Sequence, residues 1–149
     1  MKTKYTVITG ASSGIGRAVA LKFAERNKNL ILIARRKNLL EDLKSEILNK
    51  NPNLDIIVMD FDLTDVGKIP ELYSKVNNYH IETLINNAGF GMYGDVKEHP
   101  LNKISDMLHI NVEALTLLSS LYVQDYYNEK GSQLINISSA GGYTIVPNG

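Results

Sequence analysis

Apolar residues follow two different patterns along this chain. Short continuous apolar runs predict strands that are covered on both faces, as in a parallel sheet. Between these runs, apolar side chains recur every three or four residues among charged ones, which predicts amphipathic helices. The predicted strands cover residues 5–8, 30–33, 56–59, 83–85 and 133–137. Strands and helices are therefore expected to alternate along the whole chain.

The positions of the helices follow from the same spacing. The first helix is expected to pack on the sheet through Ile15, Ala18, Val19 and Phe23. Three more helices are predicted around residues 39–47, 69–76 and 101–128, with a loop at 89–100 and a polar tail without a helix at 138–149. From Ile110 onward the long helix is apolar on most sides, so we expect it to be buried or to form a subunit contact.

This alternation predicts an α/β fold of the Rossmann type, a doubly wound parallel sheet with strand order 3-2-1-4-5. We expect one domain over residues 1–149 that stops after the fifth strand. The ligand of such a sheet lies beyond the carboxyl ends of the strands, next to strand one. Five segments that follow the predicted strands would line this edge, namely 9–16, 34–37, 60–65, 86–89 and 138–142.

Composition narrows the classes of function. Sixteen lysines and arginines balance sixteen aspartates and glutamates, so no broad field attracts nucleic acid or an anionic membrane. The chain has no cysteine, which excludes disulfides and thiolate catalysis and fits a reducing compartment. The first residues lead directly into a strand rather than a signal peptide, and no apolar region is long enough to span a bilayer. We expect a soluble, cytoplasmic protein without nucleic-acid or membrane partners.

The turn after the first strand has the sequence Thr-Gly-Ala-Ser-Ser-Gly-Ile-Gly, residues 9–16. A strand, a glycine turn and a helix in this order form a cradle for phosphate. Glycine lets a ligand approach the main chain, and the first amides of the helix are free to hold an anion. A tight connection without a ligand is the alternative interpretation of these glycines.

Several motifs together resemble those of the short-chain dehydrogenase/reductase family. They are Thr9-Gly10-x-x-x-Gly14-x-Gly16, Asn86-Asn87-Ala88-Gly89, Asn111 and Ser138-Ser139. They occur in the family's order and intervals, and most of them follow predicted strands. The resemblance implies an oxidoreductase that transfers a hydride between a nicotinamide coenzyme and a small-molecule carbonyl or alcohol substrate.

The resemblance also implies roles for individual residues. The coenzyme would contact Gly10, Ser12, Ser13, Gly14, Ile15 and Gly16 at its pyrophosphate, and Asp62, Leu63, Asn87, Ala88 and Gly89 at its adenosine. Asn111 would hold a water of the proton relay, and Ser139 would orient the substrate oxygen. On residue type alone, Asp62 could equally cap a helix, Ser139 could be a turn residue, and Asn111 could be a buried amide that needs partners.

The residues after the second strand bear on the choice of coenzyme. Folds that prefer NAD place an acidic residue there to bind the ribose 2′-hydroxyl, whereas this chain has Ala34 followed by Arg35 and Arg36. A guanidinium binds a 2′-phosphate through paired, charge-assisted hydrogen bonds. We therefore predict NADP (NADPH) rather than NAD, with Arg35 as the stronger candidate. A solvated basic turn is the alternative.

The family's proton donor is a tyrosine followed four residues later by a lysine, about a dozen residues past Ser139. The chain ends ten residues past Ser139, and Pro147 stands where a lysine would follow Tyr143. Two Tyr-x-x-x-Lys matches, 93–97 and 126–130, precede the fifth strand and are interpreted as chance. We expect the amino-terminal half of a longer homodimeric or homotetrameric reductase, a half that is inactive by itself.

Other functions stay open at this level. A dinucleotide-binding or regulatory module without turnover would fit the same residues. A methyltransferase using S-adenosylmethionine would share the topology, but its coenzyme has no pyrophosphate and would not need the paired arginines. A metal site is not expected, because His80, His99 and His109 have no ligand spacing.

Overall fold

The computed structural model describes residues 3–144. Five parallel strands form one sheet in the order β3-β2-β1-β4-β5, which confirms the predicted Rossmann-type topology. The strands are β1 (Lys4–Thr9), β2 (Asn29–Ala34), β3 (Ile56–Asp60), β4 (His80–Asn86) and β5 (Gln133–Asn136). The α-helices are α1 (Gly14–Glu25), α2 (Lys37–Lys50), α3 (Ile69–Val76), α4 (Leu101–Leu108) and α5 (Leu115–Tyr126).

Both faces of the sheet are buried, because successive side chains of a strand point to opposite faces. In β2, Ile31 and Ile33 join a core with α3 and α5, whereas Leu30 and Leu32 join a second core with α1 and α2. The continuous apolar runs of the sequence therefore supply two cores at once. This arrangement places all the strand-to-helix turns beyond the carboxyl ends of the strands.

Helix α1 packs on the sheet mainly through small residues, beside the predicted Val19 and Phe23, which pack half-buried against the same core. Its buried residues are Gly16, Ala20 and Ala24, whereas Ile15 and Ala18 are exposed. These three small residues are four apart, so they lie on one side of the helix and let it approach the sheet closely. The larger apolar side chains are therefore displaced to the flanks, and Ile15 reaches the edge where a ligand is expected.

The long helix predicted for residues 101–128 is interrupted. A π-helical turn at His109–Ala114 separates α4 from α5, and α5 ends at Tyr126. Such turns insert one extra residue per hydrogen-bonded ring and occur frequently at functional sites. The segment from Ile110 onward is only partly buried. Leu118 and Tyr122 are in the core, whereas Val112 and Val123 are exposed.

Strand β4 begins three residues before the predicted strand. Its first half contains Glu82, whose carboxylate accepts a hydrogen bond of 2.6 Å from Lys28 Nζ. This hydrogen bond lowers the pKa of Glu82 and lets a charged residue lie in the strand. Short 3₁₀ turns are also present at Val96–Glu98 and Ala140–Gly142, within the predicted loop and tail.

Candidate functional site

The glycine turn after β1 lies close to the end of β4. Gly10 and Gly14 have φ angles of 67° and 55°, in the left-handed region that favours glycine. A Cβ atom at Gly10 would lie 2.8 Å from the Cα of Ala88, and one at Gly16 would lie 2.5 Å from Asn87 Nδ2. Two of the three glycines are therefore required by close packing within the protein, whatever ligand is bound.

Gly14 is different, because its surroundings are open. A Cβ atom at Gly14 would meet no atom within 4 Å. Ser13, which begins α1, makes no side-chain hydrogen bond to the helix, and the first turn of α1 has no acidic residue. The amides of this turn therefore face open space at the positive end of the helix dipole, an arrangement that fits the pyrophosphate of a dinucleotide.

Thr9 holds this turn against the end of β4. Its buried Oγ1 accepts hydrogen bonds from the N–H groups of Asn87 and Ala88, both 3.0 Å long, and lies 3.5 Å from the carbonyl oxygen of Ile85. The Asn87 amide in turn donates to the carbonyl oxygen of Thr9 at 3.0 Å. Residues 87 and 88 are thus fixed beside the glycine turn.

The two arginines after β2 have different partners. Arg36 donates from Nη2 to Ser12 Oγ at 3.0 Å and to Ser13 Oγ at 2.6 Å. Arg35 Nη1 lies 3.7 Å from Asp62 Oδ2, with both side chains well exposed. Arg36 therefore joins the β2 turn to the glycine turn, whereas Arg35 joins it to the turn after β3.

Asp62 begins the turn after β3. Its Oδ1 accepts hydrogen bonds from the backbone N–H and the hydroxyl of Thr64, at 3.0 and 2.8 Å. Partial burial raises the pKa of this carboxyl, but the bonds from Thr64 and the charge of Arg35 outweigh it, so the pKa lies below its ordinary value. Asp62 therefore carries a negative charge at neutral pH, and Leu63 beside it is buried.

These turns enclose a first cleft of about 380 Å³. It brings together most of the predicted coenzyme residues from the ends of four strands, although Asp62 and Gly16 are not on its surface. The lining includes Gly10, Ser12, Ser13, Gly14, Ile15, Arg35, Arg36, Leu63, Asn87, Ala88 and Gly89.

A second cleft of about 960 Å³ continues from the first and shares Ile15 and residues 87–90 with it. Both predicted catalytic residues, Asn111 and Ser139, line this second cleft. They come from distant parts of the chain, the π-helical turn and the segment after β5. The structure thus places the predicted coenzyme residues and the predicted catalytic residues along one continuous edge.

Asn111 pairs with the backbone of the loop after β4. Its Nδ2 donates to the carbonyl oxygen of Phe90 at 2.8 Å, and its Oδ1 accepts from the N–H of Phe90 at 3.1 Å. A Cβ atom at Gly89 would lie 2.8 Å from Asn111 Oδ1. The amide on the π-helical turn therefore finds the partners that it needs, and it fixes the start of the loop at 90–99.

Ser139 begins the 3₁₀ turn at 140–142, and its Oγ accepts a hydrogen bond of 3.2 Å from the N–H of Gly141. The hydroxyl is on the surface of the second cleft and keeps its proton for a further acceptor.

The two tyrosines of the Tyr-x-x-x-Lys matches lie in different places. Tyr93 lines the second cleft, whereas the hydroxyl of Tyr126 donates to Asn77 and accepts from the N–H of Ile81. Pro147 lies outside the described residues.

Residues 3–144 contain neither a cluster of metal-binding side chains nor a long apolar helix. In this range no group of three or more histidine, aspartate or glutamate side chains is arranged to hold a metal ion. None of the helices described there has both the length and the apolar character needed to cross a membrane.

The family model for short chain dehydrogenases matches residues 4–149. The chain belongs to the short-chain dehydrogenase family. A curated relative, "Very-long-chain 3-oxooacyl-coA reductase let-767" of Caenorhabditis elegans, is 31% identical over 144 residues. The match covers 93% of this chain and 46% of the relative, so the chain spans about half the length of that relative.

Solved structures of short-chain dehydrogenases superpose closely on the chain. The bulky-bulky ketone specific alcohol dehydrogenase from Comamonas testosteroni is 32% identical with a TM-score of 0.88, covering 95% of this chain and 57% of that one. A short-chain dehydrogenase from Sphingobium yanoikuyae in complex with NADPH is 29% identical, also with a TM-score of 0.88, covering 95% of this chain and 55% of that one.

The sequence did not point to three residues of this candidate site. Thr9 was part of the glycine motif, but its hydroxyl was not identified as the brace of residues 87 and 88. A polar residue at the end of an otherwise apolar strand is the signal that could have found it. Phe90 and Met107 were also missed, although Met107 shares the helical face of Asn111.

Proposed function

We propose that this chain binds NADP(H) along the first cleft and serves an enzyme that passes a hydride between the coenzyme and a carbonyl or alcohol carbon. The observation that carries the proposal is the open start of α1, where the first backbone amides, without a partner among the described residues, face a cleft with two guanidinium groups at its rim. When bound, NADPH supplies the hydride. The NADPH complex of the Sphingobium relative supports the same choice.

The residues of the first cleft fit the parts of this coenzyme. The amides and hydroxyls of residues 12–16 supply hydrogen-bond donors for the pyrophosphate without a fixed cation. Leu63 and Ala88 give an apolar surface and a small side chain next to the adenosine. Ala34 brings no carboxylate that would repel a 2′-phosphate.

Arg35 and Arg36 are proposed to do different things. The ion pair of Arg35 with Asp62 is exposed and long, so it is weak, and the guanidinium is free to turn to a 2′-phosphate. Arg36 bonds the hydroxyls of Ser12 and Ser13, which are proposed to hold the pyrophosphate that NADPH and NADH share. Arg35 would therefore select between the coenzymes, and Arg36 would support both.

In the second cleft, Ser139 is proposed to donate a hydrogen bond from its hydroxyl to the substrate oxygen and so to orient it. Asn111 holds Phe90 and thus keeps Gly89 at the junction of the two clefts. The reaction also needs an acid that exchanges a proton with the substrate oxygen. No described residue of this cleft is proposed for that role. Carbonyl reduction, a cytoplasmic location and a dimer or tetramer remain predictions.

The proposal predicts a selective effect of Arg35→Ala. A guanidinium bonded to phosphate contributes about 1.5–3 kcal/mol, so we expect about a tenfold to hundredfold loss of NADPH affinity with NADH affinity unchanged. Arg36→Ala is expected to weaken both coenzymes by similar factors. Isothermal titration calorimetry with NADPH and NADH measures both effects.

Lys37→Ala is the matched control, because it removes the same charge from an exposed neighbour that does not line the cleft. It should change neither affinity by more than about twofold. Equal losses of both coenzymes in Arg35→Ala would contradict the selective role of this residue. Failure of the unaltered protein to bind either coenzyme, with binding of S-adenosylmethionine instead, would overturn the proposed function.

A further inference from the structure

The lining of the second cleft has a polar and an apolar side. The polar side comprises Asn87 after β4, Ser139 after β5 and Asn111 on the π-helical turn. The apolar side comes from the loop at 90–99, from α4 and from the first residue of α5. Its main side chains are Met92, Val96, Ile104, Met107 and Leu115, and Asn111 follows Met107 by one helical turn where the two sides meet.

Among the described residues, the second cleft has no charged side chain that could pair with a charged ligand. No aspartate, glutamate, lysine or arginine lines it there, and His99 is its only imidazole. In the loop, Lys97 Nζ lies 3.1 Å from Asp95 Oδ2, and Glu98 does not line the cleft. A charged substituent buried in this cleft would lose its hydration without gaining an ion pair.

We infer that the second cleft takes a carbonyl compound with a large uncharged hydrocarbon group. This inference rests on the proposed function, since it names the substrate class of the same site. The carbonyl lies toward Asn111 and Ser139, and the hydrocarbon group packs against Ile104 and Met107. A volume of about 960 Å³ exceeds what a small ketone fills, and methionine side chains adapt to irregular apolar shapes.

The test is a series of ketones with one carbonyl and different hydrocarbon groups. Dissociation constants of 2-butanone, 2-octanone and 7-oxooctanoate are measured by ligand-detected NMR with NADPH at saturation. Each buried methylene contributes about a fourfold gain in affinity, so burial of half of the four extra methylenes makes 2-octanone about fifteenfold tighter than 2-butanone. The carboxylate of 7-oxooctanoate is expected to remove that gain.

A fused-ring ketone, 1-decalone, distinguishes the form of the hydrocarbon group. Tighter binding of 1-decalone than of 2-octanone assigns the cleft to compact ring systems, and the reverse order assigns it to extended chains. Either order supports the inference. Affinities that do not rise with the size of the hydrocarbon group, or that rise for 7-oxooctanoate as well, overturn it.

Met107→Gln tests the apolar side directly, because it keeps the length of the side chain and adds a polar amide. We expect about a fivefold loss of 2-octanone affinity and no change for 2-butanone. Leu108→Gln is the matched control on the same helix, because Leu108 is exposed and does not line the cleft. Val96→Asp is a second variant of the apolar side. Because Val96 is 78% exposed, this substitution does not threaten the fold.

The two proposals fail in different ways. If NADPH does not bind, the proposed function fails, and the ketone series without coenzyme still shows whether affinity rises with hydrocarbon size. If NADPH binds and the series is flat, the proposed function stands and the inference about the substrate class is wrong. Equal losses in Met107→Gln and Leu108→Gln would likewise contradict the role of the apolar side.

Discussion

Thr9→Val is expected to lower the free energy of unfolding by about 2–4 kcal/mol. The substitution keeps the shape of a buried side chain but removes the acceptor of two N–H groups, those of Asn87 and Ala88. Each buried donor left without a partner costs about 1–3 kcal/mol. Urea denaturation measures the loss, and hydrogen exchange at residues 87 and 88 shows whether it arises there.

Thr6 offers a matched control for Thr9 on the same strand. Both side chains are 1% exposed, but the hydroxyl of Thr6 has no hydrogen-bond partner within the described residues. Thr6→Val therefore removes an unsatisfied polar group and should leave stability unchanged or raise it. Thr9→Ser keeps the acceptor and should lose only the contribution of a methyl group, about 1 kcal/mol. Equal losses in Thr6→Val and Thr9→Val would show that the hydrogen bonds of Thr9 contribute nothing.

The sheet could be predicted from the sequence because its strands are buried on both faces. A strand such as β2 must be apolar at every position when each face carries helices, and such runs are visible without a structure. The start of β4 escaped prediction because Glu82 lies in the strand through its bond to Lys28, a residue 54 positions away. Local patterns cannot show a charge that is compensated over such a distance.

The prediction for α1 holds for Val19 and Phe23 but was wrong for Ile15 and Ala18, because hydrophobicity was taken as the measure of burial. At Gly16, Ala20 and Ala24 the helix lies so close to the sheet that a small residue is needed there rather than a large apolar one. Proximity of the helix to the glycine turn is what makes the small residues necessary. The sequence does contain this information, as three small residues at intervals of four positions, but larger apolar residues nearby obscure it.

The candidate site was predictable to the extent that it follows strands. Polar and glycine segments after parallel strands meet at one edge by topology alone, and most residues that line the first cleft come from these segments. The second cleft is lined in addition by the loop at 90–99, α4 and the π-helical turn. The partners of individual side chains were not predictable. The bonds of Arg36 to Ser12 and Ser13, and those of Asn111 to Phe90, depend on loop conformations that only tertiary packing determines.

Residues 87–90 line both the cleft proposed for the coenzyme and the cleft proposed for the substrate. Thr9 holds Asn87 and Ala88 from one side, and Asn111 holds Phe90 from the other. A displacement of this short segment would therefore reach both clefts. Substitutions in the glycine turn can therefore distinguish an effect on the stability of the fold from an effect on ligand binding.

Gly16→Ala is expected to lower stability more than Gly14→Ala does, whereas Gly14→Ala is expected to weaken coenzyme binding directly. At Gly16 a Cβ atom would collide with the Gly10 carbonyl and with Asn87 Nδ2, so the turn must move. We expect a loss of about 3 kcal/mol, a fall in Tm of about 6–12 °C. Gly14→Ala meets no atom and costs only about 1–2 kcal/mol for its left-handed φ.

The order reverses for the ligand, because Gly14 lies at the open start of α1 where a pyrophosphate must approach the amides. A methyl group there should weaken NADPH by about tenfold or more at a temperature where both variants are folded. Thermal denaturation with and without NADPH measures both quantities on the same samples. A Gly14→Ala variant that is stabilised by NADPH as strongly as the unaltered protein would place the pyrophosphate elsewhere, because no diphosphate could then lie against these amides.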